Sequence, residues 1–546
     1  MLLPLALGAL PLLLLGQQAG LSWPGYLLSV SLFLLTAGGA LLARLGRLRP
    51  EAATGWGLLT AAGATGVYLM GVNPWVGIIG DNVVYIRDAL LLMQGAPMVD
   101  SQYGIGLKGM LAGSLALFGD SVPAMKAVVA ISGALLPLGT FLVCRRFVGM
   151  EQALVVSALS GVLPVVVDYA SEVMADLPYA AFSLLALWIV LRYAEAPARS
   201  WRWLLAAASG LGWAYHVKAP ALILLLAAVL YLLLHRQAVK AGLLALGTAC
   251  WVVPWILYLR SVTPGRVGYF SSMSTAIGQG LYMPEGEIGG FWHNLAYYVL
   301  VKNPRDYLGL LGGLFSPFDL AWVGVPVLAL IAVGFASGRE APAPRLLGLA
   351  RSLAIHDWYV LGYLAMLFTL PGAPPRYLIP VAPFLTLYLL QGVEALARRV
   401  KRPGLAGWAS GVLAALLFLV AFRADADLIA FRRSQNGYPG YWGNYYQAAL
   451  WIRENTPPGS WVAARKPTLV WFWSRRESDL YPWTRDTEKG WTELESRFDY
   501  VLLDNLPFFG ETQKYLLPIL NAHRDRLEVV HVTPPPENYV LRIRKD

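Results

Sequence analysis

The stretch APALILLLAAVLYLLLH, residues 219–235, contains no Asp, Glu, Lys or Arg. It is apolar on every helical face, and its length approaches the roughly 20 residues that a helix needs to cross about 30 Å of hydrocarbon. A strand of a membrane barrel would instead alternate polar and apolar residues over about 10 positions. The stretch therefore predicts a membrane-spanning helix, and many similar blocks occur before residue 422.

The composition of the whole chain agrees with lipid as its solvent. Of 546 residues, 57% are hydrophobic and only 14% are charged, which is unlike a water-soluble globule. We predict a polytopic α-helical membrane protein of about 13 spans with a soluble C-terminal α/β domain. The predicted spans are 1–16, 25–43, 55–72, 122–143, 150–167, 176–193, 201–216, 219–235, 241–259, 319–337, 355–371, 377–397 and 405–422.

The basic residues predict the orientation of these spans. The net charge is +10, and its Lys and Arg residues lie mainly in short loops that the predicted spans place on one side. By the positive-inside rule that side is cytoplasmic, so the charge indicates topology and no nucleic-acid partner is expected. We predict a protein of the cell membrane, inner or plasma, with membrane lipids around it and its C-terminal domain on the extracytoplasmic side.

The predicted organisation has two domains. Residues 1–422 form the membrane domain, which carries a first exterior loop at 73–121 and a second at 260–318. The first loop is predicted to hold surface helices at 81–94 and 107–118, and the second, rich in Gly, Pro and aromatic residues, is predicted to form a flap over a site.

Residues 423–546 are predicted to form the extracytoplasmic α/β domain. The pattern there alternates a helix at 445–455 with strands at 500–503, 527–532 and 539–543. No Walker loop or dinucleotide-binding fingerprint occurs in the chain, so the sequence predicts no nucleotide site.

The segment Gly80-Asp81-Asn82-Val83-Val84-Tyr85-Ile86-Arg87-Asp88-Ala89 carries the strongest chemical signal. In a helix, Asp81, Tyr85 and Asp88 share one face because they are spaced four and three residues apart. Carboxylates beside the apolar phase are costly and therefore suggest a site. Asp81 could equally cap the surface helix, whose N-terminus favours an anion, and both interpretations stay open.

Three further exterior turns carry charged or aromatic side chains. They hold Asp168, Glu172 and Asp176, then His216 and Lys218, then Arg376 and Tyr377. Considered alone, Asp176 could be an ordinary residue at the start of a helix, ahead of Pro178. Each cation, considered alone, could be an ordinary side chain that extends to the membrane interface. Taken together, acids and bases on one membrane face are expected of a general base with cations that hold a phosphate.

These motifs, in this order, resemble the membrane glycosyltransferases of the GT-C fold, especially the protein O-mannosyltransferase and aminoarabinose transferase group of glycosyltransferase family 39. The resemblance covers roughly residues 55 to 480. It rests on the segment from Asp81, on Leu117-Phe118-Gly119-Asp120-Ser121, Asp176-Leu177-Pro178, Lys218-Ala219-Pro220 and Arg376-Tyr377-Leu378-Ile379-Pro380, and on the opening of the C-terminal domain at 451–459.

The resemblance implies an enzyme that moves a sugar from a polyprenyl-phosphate carrier to an acceptor on the exterior face. It implies Asp81 as the base, Asp176 as a second catalytic acid, and Lys218 and Arg376 as partners of the donor phosphate. The remaining candidates for substrate binding are Tyr85, Asp88, Glu172, His216 and Tyr377. The sugar is not specified, and the acceptor could be a protein, a lipid or a glycan.

The chain departs from the family pattern in two respects: two predicted helices precede the usual first span of the family, and one dipeptide differs. The family often has Asp-Glu where this sequence has Asp81-Asn82, which weakens any role that needs two adjacent carboxylates. A divalent metal ion is therefore left open as a cofactor, and no other cofactor is expected. The alternative functions are a transporter or lipid-handling permease, or a scaffold of the cell envelope, with an extracytoplasmic domain.

Overall fold

The structure of the protein is a computed structural model that forms two compact units. The membrane unit consists of residues 1–73 and 88–433, and the C-terminal unit consists of residues 74–87 and 434–546. The structure describes residues 23–44, 46, 50–96, 104–197, 200–262, 268–280, 283–316, 321–337, 350–400, 404–507 and 510–545.

Helices make up the described part of the membrane unit. They are α1 Trp23–Arg44, α2 Pro50–Met70, α3 Gly80–Met93, α4 Ile105–Phe118, α5 Val122–Gly133, α6 Leu135–Cys144, α7 Met150–Gly161, α8 Pro164–Ala170, α9 Asp176–Glu195, α10 Trp201–Val217, α11 Ala221–Leu234, α12 Ala238–Val262, α13 Gly268–Gly278, α14 Phe291–Tyr297, α15 Asn303–Phe315, α16 Ala321–Ser337, α17 Ile355–Thr369, α18 Ala382–Arg399 and α19 Leu405–Ser434. The first residues of α3 belong to the C-terminal unit.

Every predicted span after the first overlaps one of these helices, while the predicted span 1–16 lies outside the described residues. By length and composition, three described helices could cross a membrane: Val122–Cys144, Asp176–Glu195 and Ala238–Ser261. A fourth is counted if α7 and α8, which meet at a bend of 51°, form one span. The helical membrane architecture is thus present, and the number of about 13 spans stays a prediction.

Small residues let helices of the membrane unit approach closely. A Cβ atom on Gly334 of α16 would lie 1.8 Å from the carbonyl oxygen of Tyr388, and one on Gly392 of α18 would lie 2.0 Å from that of Leu330. Only glycine fits at both positions. Such backbone contact through small residues is how helices pack where lipid removes the hydrophobic driving force.

The two predicted surface helices of the first exterior loop correspond to α3 and α4. The second exterior segment is largely helical where it is described, with α13, α14 and α15, and its role as a flap stays a prediction. Ile277, Met283 and Tyr298 form a small buried cluster there, and Asn294 Nδ2 donates to the carbonyl oxygen of Ile277 at 2.9 Å. Tyr298 and Tyr297 therefore contribute to a local core, whereas Trp292 of the same segment is exposed.

The C-terminal unit is an α/β domain, as predicted. Its helices are α20 Gly440–Asn455, α21 Pro467–Ser474, α22 Thr487–Arg497 and α23 Leu517–Ala522, and its strands are β1 Trp461–Ala463, β2 Glu477–Asp479, β3 Tyr500–Leu503, β4 Leu527–Val532 and β5 Tyr539–Ile543. The sheet order is β2-β1-β3-β5-β4. Strand β1 pairs in parallel with β2 and β3, and β5 pairs antiparallel with β3 and β4. The predicted helix and three predicted strands are confirmed, whereas β1 and β2 were too short to predict.

The domain boundaries differ from the predicted ones. Helix α19 continues through residue 423 to Ser434, because Ala426 and Ile429 keep its apolar face buried. Residues 74–87 of the first exterior loop also belong to the C-terminal unit. Trp75 Nε1 donates to the Gln435 carbonyl oxygen at 3.1 Å, and the Tyr438 hydroxyl donates to that of Val76 at 3.0 Å.

Candidate functional site

Asp176, Lys218, Arg376 and Tyr377 meet in the membrane unit and form what is here called the Asp176 cluster. Lys218 Nζ donates to Asp176 Oδ1, and Arg376 Nε lies 3.8 Å from Asp176 Oδ2. Lys218 Nζ and Arg376 Cζ lie 5.0 and 5.5 Å from the centre of the Tyr377 ring. Three predicted chain segments are thus brought together, with one carboxylate between two cations.

The local structure explains why these side chains converge. Asp176 opens α9, Lys218 directly follows the last residue of α10, and Arg376 lies in a 3-10 turn ahead of α18. The three side chains are 3%, 11% and 13% exposed. Because the cluster is nearly buried and carries two positive charges against one negative, it has a net positive charge that suits an anion.

Glu172 belongs to a different set of contacts, the Arg432 network, which also contains Asp168, Lys126 and Asn73. Arg432 Nη2 lies 2.5 Å from Asp168 Oδ1 and 3.1 Å from Glu172 Oε1. Lys126 Nζ donates to Asn73 Oδ1 at 2.7 Å, and Asn73 Nδ2 donates to the Arg432 carbonyl oxygen at 3.3 Å. The cations Arg432 and Lys126 balance the carboxylates of Asp168 and Glu172. Because Arg432 contacts both carboxylates, Glu172 helps to hold the loop between α8 and α9.

Asp88 forms a buried ion pair with Lys108 of α4. Lys108 Nζ lies 2.5 Å from Asp88 Oδ2, and both side chains are at most 1% exposed. A buried pair of this kind is strongly destabilised if one partner is removed. Asp88 therefore faces Lys108 in the membrane unit, while Asp81 and Tyr85, predicted to share its helical face, belong to the C-terminal unit.

His216 packs among aromatic rings. Its Nε2 atom lies 3.2 Å from the carbonyl oxygen of Trp251, and its ring contacts those of Tyr215, Trp251 and Trp255. These contacts place His216 in the packing between α10 and α12, although it lies only two residues before Lys218.

Asp81 lies in the first turn of α3, where Thr468 Oγ1 donates to the Gly80 carbonyl oxygen at 3.4 Å. The negative charge of Asp81 affects the pKa of Lys466. Burial and the Arg465 guanidinium lower the pKa of Lys466, while the carboxylates of Glu511 and Asp81 act in the opposite direction. Tyr85, four residues after Asp81, is 2% exposed.

Lys108, Lys126, Arg432 and Lys466 are not among the site residues predicted from the sequence. Lys108 and Lys126 could have been found, because each is the one charged residue of an otherwise apolar helix, which is costly in a membrane. Arg432 and Lys466 gave no such signal. Within the described residues, no three or more His, Cys, Asp and Glu side chains are placed to hold a metal ion, and the divalent ion stays a prediction.

Comparison with known proteins shows which family and which folds this chain is similar to. Residues 106–259 match the sequence profile of the family "Dolichyl-phosphate-mannose-protein mannosyltransferase". That range contains Lys108, Asp176 and Lys218. The resemblance to the GT-C membrane glycosyltransferases and the protein O-mannosyltransferase group is confirmed. No curated protein sequence matches the chain significantly.

Two solved structures share the fold over most of the chain. The crystal structure of ArnT from Cupriavidus metallidurans bound to undecaprenyl phosphate has a TM-score of 0.57 and 14% identity, and the match covers 90% of this chain and 98% of that one. The Archaeoglobus fulgidus oligosaccharyltransferase in complex with Zn and sulfate has a TM-score of 0.56 and 13% identity, with 89% and 73% covered. At these identities the similarity establishes the fold.

Proposed function

We propose that this chain is a membrane glycosyltransferase that moves a sugar from a polyprenyl-phosphate carrier to an acceptor on the exterior face. The observation that carries the proposal is the Asp176 cluster: two cations, nearly buried around one carboxylate, in a chain with the GT-C fold. ArnT from Cupriavidus metallidurans, which has the same fold, was crystallised with undecaprenyl phosphate, and this supports a donor of the same class.

The proposed roles follow from charge. When the glycosyl bond of the donor breaks, the departing phosphate gains negative charge, and cations fixed beforehand in a nearly dry site stabilise that charge most strongly. Lys218 and Arg376 are proposed to supply these cations, with Tyr377 against both. Before the donor binds, Asp176 neutralises part of their charge, so the cluster can be buried without a bound anion.

Asp81 is proposed as the base that takes a proton from the acceptor. A carboxylate is a competent general base when it is ionised and within hydrogen-bonding reach of the acceptor group. The polyprenyl tail stays in lipid while the sugar meets a polar acceptor, which is why a site at the membrane surface suits this reaction.

The test uses the full-length protein in lipid vesicles with a set of polyprenyl-phosphate sugars and a mixture of peptide, lipid and glycan acceptors. Transfer of the sugar from at least one lipid-linked donor is expected. Transfer from nucleotide sugars alone would contradict the donor class. Movement of the lipid-linked sugar across the bilayer without transfer would favour the permease. A parallel reaction with a chelator tests whether a divalent ion is needed.

A further inference from the structure

The membrane unit has an open cavity of about 300 Å³ that the proposed reaction does not use. It lies where α1 and α18 end and where α7 and α19 begin, at the end of the helices that carries the basic loops. We call it the basic-end cavity. Its volume lies at the lower end of the range of sites that hold small ligands, which is enough for a lipid headgroup.

The cavity contains charges of both signs. Glu151, Glu394 and Arg44 line it. Arg44 Nη1 lies 3.9 Å from Glu151 Oε1, which is longer than a hydrogen bond, and Arg398 Nη2 contacts one oxygen of Glu394 at 3.0 Å. The carboxylates of Glu151 and Glu394 and the guanidinium of Arg44 therefore face the same cavity. Their contacts with described residues leave each of them capacity for further hydrogen bonds.

The partly buried side chain of Gln152 adds an independent indication of a ligand. Gln152 also lines the cavity, and its Nε2 atom is buried with no hydrogen-bond partner among the described residues. A buried donor without an acceptor is costly. An oxygen of a bound molecule would satisfy it.

The remaining wall is small or apolar. Gly407 and Gly411 of α19 lie beside Val155, Leu390 and Ala414. A Cβ atom on Gly407 would meet only Arg44 Nη2, at 4.0 Å, so the glycine leaves room within the cavity. This arrangement suits a ligand with a charged head that continues into an apolar part.

We propose that the basic-end cavity binds the headgroup of a zwitterionic phospholipid with a primary amine. The ammonium group lies between Glu151 and Glu394, where its three donors meet carboxylate oxygens. Arg44 and Gln152 Nε2 donate to the phosphate and ester oxygens. A trimethylammonium group has no N–H to donate, and an anionic headgroup lacks the positive charge, so the cavity discriminates against both.

The test measures lipid binding to the full-length protein, purified in detergent and depleted of lipid. Titration with phosphatidylethanolamine, phosphatidylcholine and phosphatidylglycerol of identical acyl chains is followed by native mass spectrometry. Phosphatidylethanolamine is expected to bind about tenfold more tightly than either of the others, since a charge-assisted hydrogen bond is lost with each substitute. The double variant E151Q/E394Q should remove this preference.

Gly407→Leu provides a second variant, because a leucine there projects into the cavity and favours the helix. It should abolish the tight binding. Gly242→Leu is the matched control, since a Cβ on Gly242 meets nothing within 4 Å, and Glu195→Gln is the matched charge control, because Glu195 pairs with Arg146 outside the cavity. Both should bind lipid as the parent does.

Three results would overturn the proposal. The first is equal affinity for the three phospholipids in the parent protein. The second is an undiminished preference for phosphatidylethanolamine in E151Q/E394Q, with Gly407→Leu also binding normally. The third is binding of water-soluble phosphoethanolamine as tight as that of the lipid, which would assign the cavity to a soluble ligand. Melting curves of each variant show whether lost binding reflects lost folding.

Discussion

Arg87 Nη2 lies 2.9 Å from Glu477 Oε2, although 390 positions separate the two residues in the chain. The guanidinium also lies 5.0 Å from the centre of the Trp471 ring. A partly exposed ion pair of this kind contributes at most about 1 kcal/mol. Together with the bond from Thr468 to Gly80, it nevertheless attaches the first turns of α3, and with them Asp81, to the C-terminal unit.

This attachment predicts how the isolated C-terminal domain behaves. A fragment of residues 435–546 should unfold cooperatively, because it retains the sheet and its buried core. A peptide of residues 74–87 should raise the melting temperature of the fragment with increasing concentration, since it binds only the folded state. The same peptide with Trp75→Ala should raise it less. No stabilisation by the parent peptide would show that these contacts contribute little.

Asp81→Asn should abolish transfer while donor affinity stays within about twofold of the parent. The amide keeps the size of the side chain but cannot accept a proton, and removing a general base typically costs about 100- to 10,000-fold in rate. Donor affinity and turnover are measured separately on protein in lipid. Asp88→Asn or Asp176→Asn losing activity while Asp81→Asn keeps it would reassign the base.

Arg376→Ala should weaken donor binding, whereas Asp176→Asn should not. Loss of the Arg376 guanidinium removes a charge-assisted contact and should weaken binding of the lipid phosphate by roughly 10- to 100-fold. Asp176→Asn leaves both cations in place without their carboxylate, so binding should be as tight or tighter. Weaker binding in both variants would mean that Asp176 mainly keeps the cluster folded.

Lys108→Met should destabilise the membrane unit by about 3–5 kcal/mol, because it leaves the carboxylate of Asp88 buried without its partner. The double variant Lys108→Met/Asp88→Leu should recover much of this loss, since no isolated charge remains. Thermal unfolding of the parent, both single variants and the double variant gives the coupling free energy. Additive effects would argue against a direct pair.

Cysteine labelling tests the sidedness that the basic loops predict. A Cys introduced at position 529, in strand β4, should react with an impermeant thiol reagent in intact cells, and one at position 400 should react only after the membrane is opened. Val529 is a suitable exterior probe because it is 58% exposed, whereas Tyr500 and Arg376 are shielded in the structure. Labelling at 400 in intact cells would reverse the topology.

The sequence by itself determined the helical membrane architecture and most of the C-terminal sheet. Uniformly apolar blocks such as 219–235 can be stable only as helices in lipid, and strands such as Tyr500–Leu503 carry a clear apolar pattern. The sequence also singled out Asp176, Lys218 and Arg376, because charged residues are rare beside apolar blocks and therefore conspicuous.

Only the tertiary structure decided which of these residues pair. Glu172 lies with Arg432, Asp88 lies with Lys108, and the segment of Asp81 belongs to the C-terminal unit. Each of these pairings joins positions far apart in the chain or in different helices. Because burying a charge is costly, the sequence shows that each buried carboxylate must have a partner. Any suitably placed cation could offset that cost, so the packing of the helices determines which cation pairs with which carboxylate.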